Sequence, residues 1–265
     1  MKNKNKKLLI AAGMIITVLI LMIIDGIMTY REKHPPVSYP QADAIISEFS
    51  SSNGLRLKDY PEELRALLEK NPETKDFVLN YPLKKDFRQS LTEEELGEIT
   101  EIPYFLQWDG RWGYCDYAGS IMGIAGCGPV CLSMVSIYLT KDITFDPLYI
   151  AEFAAREGYA TRNNGTKWLL MSEGAEKLGL KSEELPLDKN VMINALTSGK
   201  PIICIMGAGD FTSTGHYIVL TDYTEDGFSV LDPNSEVKSG QKWTYERIKS
   251  QIRNIWAFSS DTPVS

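Results

Sequence analysis

Histidine is scarce in this chain of 265 residues, which has only His34 and His216. His34 stands beside a Pro-Pro pair in a segment expected to be solvated, so a zinc site built from histidine and cysteine is not expected. The sequence also lacks a glycine-rich phosphate loop, and "DPNSEVKSG" has Val237 where an EF-hand calcium loop needs glycine. We therefore expect neither a metal nor a cofactor.

Cysteine is also sparse, with four residues in the whole chain. Cys131 lies one helical turn after Cys127, and Cys204 lies in the apolar run "PIICIM", so both are expected to be small buried side chains. A chain long enough to build an apolar core has little need of a disulfide framework. Cys127 is the thiol whose surroundings suggest chemistry.

Acidic residues are absent from the first 24 positions, which hold four lysines and the uncharged run Leu8–Ile24. As a helix this run is about 25 Å long, a little short of the hydrocarbon core of a bilayer. No small-residue cleavage site follows it, which favours an uncleaved anchor over a cleaved signal peptide. We expect residues 1–30 to form cytoplasmic lysines and one transmembrane helix, with the rest extracellular. Secretion after signal cleavage is the alternative.

Beyond residue 24 the chain has 24 basic and 35 acidic residues, a net charge of −11 that argues against nucleic acid as a partner. Residues 31–57, rich in proline and serine, are expected to form a tether. Residues 58–100 predict an N-terminal element of two short helices, with a structural role or that of an inhibitory pro-segment. In residues 101–260 predicted helices precede predicted strands, which indicates an α+β domain with N-terminal helices packed on an antiparallel sheet.

The stretch "AGCGPVCLSMV" places Cys127 between two glycines at the start of a predicted helix. The pKa of a thiol falls at a helix N-terminus and beside a histidine. A structural thiol at a helix start is the simpler alternative. A nucleophile and base in this chain would have to be Cys127 and His216, which opens the strand "HYIVLTDY".

A third group is needed to orient the imidazole. The turn "TEDG" predicts a hairpin whose open end brings His216 towards Asp232, which would accept a hydrogen bond from one ring nitrogen. Asn234 is a weaker candidate, and Asp232 is alternatively a plain turn residue. Gln107 is the best candidate for the side-chain donor of an oxyanion hole, the alternative being a surface glutamine. The aromatic residues around Gln107 either line a cleft or pack in the core.

The motifs "GCGPVCLSMV", "GHYIVLTDY" and "DPN" resemble the papain-fold peptidases of cysteine peptidase family thirty-nine, which includes the enzymes that trim double-glycine leaders. The segments "IPYFLQWDGRWGY" and "YPEELRALLEKNPETKDFVLNYP" resemble its stand-alone branch, common in exported Gram-positive bacterial proteins. The resemblance implies a papain-like fold, with Cys127 as nucleophile, His216 as base, Asp232 as orienting acid and Gln107 as oxyanion donor. Gln107 stands further ahead of the nucleophile than the glutamine of papain-type enzymes.

Three functions follow from these motifs. The first is a membrane-anchored extracellular cysteine peptidase acting on a peptide or protein through a Cys-His-Asp triad. The second is an amidase or endopeptidase acting on the peptide part of the cell wall. The third is a non-catalytic binding domain with a papain-like scaffold, against which the intact Cys127, His216 and Asp232 argue.

Overall fold

The computed structural model describes residues 19, 20, 22–26, 29, 37–162 and 165–260. The chain divides into two units, Met1–Pro40 and Gln41–Ser265. No helix within the described ranges is both long and apolar enough to span a membrane. Most of the predicted anchor Leu8–Ile24 lies outside the described residues, as do the N-terminal lysines and His34, so the anchor stays a prediction.

A six-stranded antiparallel sheet forms the centre of the second unit. The strands in the described residues are β1 (Asp116–Tyr117), β2 (Ser120–Ile121), β3 (Ala160–Thr161), β4 (Gly165–Thr166), β5 (Leu180–Glu184), β6 (Ile202–Met206), β7 (His216–Thr224), β8 (Gly227–Leu231), β9 (Lys242–Trp243) and β10 (Ile252–Ser260). The large sheet has the order β5-β10-β6-β7-β8-β9. All five residues of β6 are buried, which explains its unbroken apolar sequence at the centre of the sheet.

Helices occupy much of the remaining sequence. The α-helices in the described residues are α1 (Pro40–Asn53), α2 (Glu62–Lys70), α3 (Lys75–Lys84), α4 (Glu93–Leu96), α5 (Met122–Ala125), α6 (Cys127–Thr140), α7 (Pro147–Arg156), α8 (Glu173–Lys177), α9 (Lys189–Thr197), α10 (Glu236–Ser239) and α11 (Tyr245–Ile248). Short 3-10 turns cover Leu57–Asp59, Pro72–Thr74, Ile143–Phe145 and Trp168–Met171. Most of α6 is buried, in keeping with its almost entirely apolar sequence.

Two apolar cores flank the sheet because successive side chains of a strand point to opposite faces. Ile203 and Ile205 belong to the core that contains α6 and α7. Cys204 and Ile202 belong to the core that contains α9. This arrangement confirms the α+β class with an antiparallel sheet, and it explains why "PIICIM" is apolar at every position.

The N-terminal element contains the two predicted helices, α2 and α3. Leu64 and Leu68 form the buried stripe of α2. The side chain of Asn71 accepts a hydrogen bond from the Glu73 amide and so caps the turn before α3, as its position before proline predicts. Residues 58–100 thus contain α2 and α3, and in addition the four-residue α4.

Two segments differ from their predicted structure. Residues 40–53, assigned to the tether, form helix α1, in which Ala42 and Ile46 are fully buried and Asp43 makes a bidentate ion pair with Arg65 of α2. Such tertiary contacts stabilise a helix that its serine-rich sequence does not predict. The amphipathic sequence "GTKWLLMSEGAEKLGL" predicts a helix over residues 165–180, and this prediction is wrong, since the segment contains a 3-10 turn and the five-residue α8.

Candidate active site

Cys127 is the first residue of helix α6. The four cysteines all lie in the described residues and are all free; Cys115, Cys131 and Cys204 are buried, whereas Cys127 is partly exposed. Burial raises the pKa of those three buried thiols. Cys127 is therefore the most accessible of the four thiols.

The two glycines beside Cys127 are required by close packing. A Cβ at Gly126 would lie 2.5 Å from the carbonyl oxygen of Met122, and one at Gly128 would lie 2.6 Å from Oγ1 of Thr166. Real Cβ atoms do not approach other atoms so closely. The glycines let the helix start lie directly against its neighbours, which fixes the position of the thiol.

His216 lies between Cys127 and Asp232. Its Nε2 is 2.6 Å from Oδ1 of Asp232, both side chains being almost fully buried. The Cys127 thiol lies close enough to the ring for each group to shift the pKa of the other. Because Nε2 is occupied by the carboxylate, Nδ1 is the ring nitrogen left to interact with the sulfur. The structure thus brings the three predicted residues together.

The surroundings of Cys127 and His216 favour a thiolate and an imidazolium. Burial by itself raises the pKa of Cys127, but the hydrogen bond and charge of His216 and the backbone amides of Tyr217 and Gly128 lower it below the usual value for a thiol. Burial lowers the pKa of His216, but the charge and hydrogen bond of Asp232, together with Cys127, raise it to about 10. Both shifts favour the thiolate and the imidazolium over the two neutral groups.

The Asp232 carboxylate is held by its own loop. The backbone amide of Asn234 donates to Oδ1 at 2.8 Å, so Asn234 contributes its main chain, not the side-chain role considered for it. The Asp232 amide donates to the Ser239 hydroxyl and the Tyr104 hydroxyl donates to the Asp232 carbonyl. Oδ2 is buried and has no hydrogen-bond partner in the described part of the chain. Within the described residues the carboxylate is therefore held through Oδ1, by the His216 ring and the Asn234 amide.

The N-terminal helical element contacts the loop that follows Asp232. The Glu73 carboxylate accepts a hydrogen bond from the Ser235 hydroxyl at 2.5 Å and from the amides of Glu236 and Val237 at 2.7 and 3.2 Å. Asn71 donates through Nδ2 to the Asn234 carbonyl at 2.6 Å. Residues that precede the main domain in the chain therefore support the loop that carries the carboxylate.

Gln107 is buried and not at the surface. Its Nε2 donates to the carbonyl oxygens of Gly123 and Ile124 at 3.0 and 3.3 Å, just before the helix that begins with Cys127. Its backbone amide donates to the Pro233 carbonyl. Gln107 lines the same cavity as Cys127 and His216. It therefore links the segments that carry the thiol and the carboxylate, and its oxyanion role stays a prediction.

Two cavities meet at Cys127. The first, of about 660 Å³, is lined by residues that include Trp168, Gly207 and Arg253. The second, of about 1030 Å³, is lined by His216 and Gln107 and by residues of helix α2 and of the loop 209–215. Cys127 lines both cavities.

Sequence patterns did not identify all of the residues that line these cavities. Phe105, Trp112 and Tyr114 of the aromatic loop are buried and pack in the protein, and Trp108 lines neither cavity. Trp168, which lies far along the chain from Gln107, is 48% exposed and lines the first cavity, while its ring packs edge-on against Trp256. The residues that line the first cavity are far apart in the sequence, so no sequence motif indicated that they share a site.

Comparisons with known proteins found solved structures that are similar to part of this chain. The peptidase domain of Streptococcus ComA, a bi-functional ABC transporter involved in a quorum sensing pathway, is 21% identical with a TM-score of 0.39, covering 52% of this chain and 93% of its own. A putative C39-like peptidase from Bacillus anthracis is 14% identical with a TM-score of 0.36, covering 61% of this chain and 96% of its own. No curated protein matches the sequence.

The model of the Peptidase_C39 like family matches residues 99–263, which is more than half of the chain and includes Cys127, His216, Asp232 and Gln107. The resemblance found in the sequence motifs is thereby confirmed: this chain belongs to the Peptidase_C39 like family.

Proposed function

We propose that the protein is a cysteine peptidase in which Cys127, His216 and Asp232 hydrolyse an amide bond. The observation that supports this most is the proximity of the partly exposed Cys127 thiol to His216, whose Nε2 is 2.6 Å from the buried Asp232 carboxylate. Three residues distant in sequence meet in the order that nucleophilic catalysis needs. A cysteine with a purely structural role does not require a buried histidine and carboxylate beside it.

The reaction runs through a thioester. The Cys127 thiolate attacks the substrate carbonyl carbon, a C–S bond forms, and His216 gives its proton to the leaving amine as the C–N bond breaks. His216 then takes a proton from water, whose oxygen attacks the thioester carbonyl. The acid product leaves, and the thiolate and imidazolium are restored. The backbone amide of Cys127 at the helix start and Gln107 are the proposed donors to the oxyanion.

We place this activity at the outer face of a cell membrane, held there by the apolar segment Leu8–Ile24. The four lysines before that segment favour a cytoplasmic N-terminus. The substrate is then an extracellular peptide or protein. The same chemistry cleaves the peptide cross-links of a cell wall, so the assay for activity includes both materials.

The test compares the full-length chain in detergent with its Cys127→Ala variant on a peptide library and on purified cell wall. Cleavage of peptides that is lost in the variant supports the peptidase, and release of wall fragments alone assigns the activity to the wall. Failure of the folded wild-type protein on both materials contradicts the proposal and leaves a binding domain. Fractionation of cells expressing the chain, with and without residues 8–24, tests the location.

A further inference from the structure

Strand β10 contains a bulge at Arg253. Ile252 pairs with Met206 and Asn254 pairs with Ile205, so Arg253 is the extra residue between two consecutive partners on β6. A bulge redirects the side chain of its extra residue, and such bulges are frequent beside active sites. Met206 in turn pairs with His216 on β7. The bulge therefore lies at the end of the sheet where the candidate active site is found.

The redirected side chain lies over Gly207. A Cβ on Gly207 would be 2.4 Å from Nε of Arg253 and 2.7 Å from both Cζ and Nη2. Because Gly207 has no side chain, the guanidinium of Arg253 can occupy the space beside its Cα atom. Nη1 donates to the Ser250 carbonyl at 2.9 Å, which anchors one end of the group. The arginine is thus positioned as well as exposed.

None of the ion pairs among the described residues includes Arg253. Arg253 lines the first cavity together with Cys127, and Glu63 is the other lining residue with a formal charge at neutral pH apart from the thiol. The Glu63 carboxylate accepts a hydrogen bond from the Ser120 hydroxyl at 2.6 Å and forms no ion pair with Arg253. Arg253 is therefore the one cationic side chain among the described residues that line this cavity with Cys127.

We propose that Arg253 is a recognition site for a carboxylate of the substrate, bound in the first cavity. The planar guanidinium matches a carboxylate in geometry and charge. The proposal rests on the proposed peptidase function, because it treats the bound peptide as a substrate. Binding of the carboxylate itself requires no reaction. The carboxylate comes either from an acidic side chain within the peptide or from a free C-terminus, and both present the same group to Arg253.

The experiment measures binding of fluorescent hexapeptides to the full-length Cys127→Ala protein in detergent. Peptides are compared in pairs that carry Glu or Gln at each position in turn, and in pairs that end in a free carboxylate or an amide. We expect one acidic member to bind about tenfold more tightly than its neutral partner, the size expected of a hydrogen-bonded charge at an exposed site. The pair that shows the difference identifies the source of the carboxylate.

Arg253→Gln should abolish this preference by weakening the acidic peptide alone, whereas Arg253→Lys should retain part of it. Lys249→Gln removes the same charge from an exposed residue outside the cavity and should leave the preference intact. The proposal is overturned if no acidic peptide binds better than its neutral partner, or if the preference survives Arg253→Gln. If the preference depends on Arg253 but the wild-type protein cleaves nothing, the peptidase proposal fails and the carboxylate site stands. If the protein cleaves peptides but shows no such preference, the peptidase proposal stands and the carboxylate site fails.

Discussion

His216 and Asp232 meet because a bulge shifts the register of the β7–β8 hairpin. The pairing slips by one residue between Leu220 and Asp222, and beyond it Val219 lies opposite Leu231. Continued by one residue, this register sets Asp232 opposite Ile218, two residues from His216 and on the same face. Diagonal neighbours of this kind lie within reach of long side chains, and the ring and carboxylate are 2.6 Å apart. The hairpin thus places the base and its partner.

Asp232→Asn should lower kcat/KM for peptide cleavage by about tenfold to a hundredfold, the cost of losing a hydrogen bond to a charged group. The amide keeps an acceptor near Nε2 but removes the charge that raises the pKa of His216, so the imidazolium is less stable. Steady-state kinetics measure the effect. Asp226→Asn, an exposed change at the tip of the same hairpin, is the matched control. Equal activity of the two variants would contradict the role of Asp232.

The rate of Cys127 alkylation by iodoacetamide should depend on pH in two steps. The pKa of Cys127 is lowered and that of His216 is raised to about 10, so the ion pair forms below the usual range for a thiol and persists until the imidazolium loses its proton. Peptidase activity should rise with the first step and fall near the second, because protonation of the leaving amine needs the imidazolium. A single step at the usual thiol pKa would be inconsistent with the pair.

Glu73→Gln should lower the free energy of unfolding by about 1 kcal/mol, a value reduced for partial exposure of the carboxylate. Glu73 binds the Ser235 hydroxyl and two backbone amides in the loop after Asp232, so its variant should also lower kcat more than it changes KM. Denaturant titration and steady-state kinetics measure the two effects. Glu94→Gln, at an exposed glutamate of α4, is the control. Higher activity of the Glu73 variant would instead indicate an inhibitory N-terminal element.

Gly128→Ala should destabilise the protein by about 1–3 kcal/mol, the usual cost of overpacking. The added Cβ would overlap the side chain of Thr166, whose Oγ1 is fixed by the Tyr117 hydroxyl at 2.8 Å. The start of α6 must then move, which should also slow alkylation of Cys127. Gly240→Ala is the control, because a Cβ there would lie 3.5 Å from its nearest neighbour. Comparable stability of both variants would show that the helix start tolerates displacement.

The sequence predicted which residues lie together around Cys127 better than it predicted which residues line the two cavities. The scarcity of histidine left His216 as the one partner for Cys127 in the folded domain, and a recognisable turn brought Asp232 to the same end of its hairpin. Both inferences rely on local patterns that physical chemistry makes specific: a thiol at a helix start and a tight turn between two apolar runs.

The rest depends on tertiary contacts that have no local pattern. The serine-rich α1 is stabilised by the packing of Ala42 and Ile46. Strand β5 carries charged residues because it lies at the edge of the sheet, so it lacks the apolar sequence of a central strand. Arg253 reaches the first cavity through a bulge, and a one-residue change of register leaves no trace in the sequence.

The most direct test of the account is mass spectrometry of the full-length protein after brief treatment with an electrophilic thiol probe at about pH 6.5, where an ordinary thiol is protonated. The account predicts modification of Cys127 alone, with the rate falling sharply in His216→Ala. Modification of Cys115, Cys131 or Cys204 in preference to Cys127, or an unchanged rate without His216, would contradict the thiolate–imidazolium pair on which the proposed activity depends.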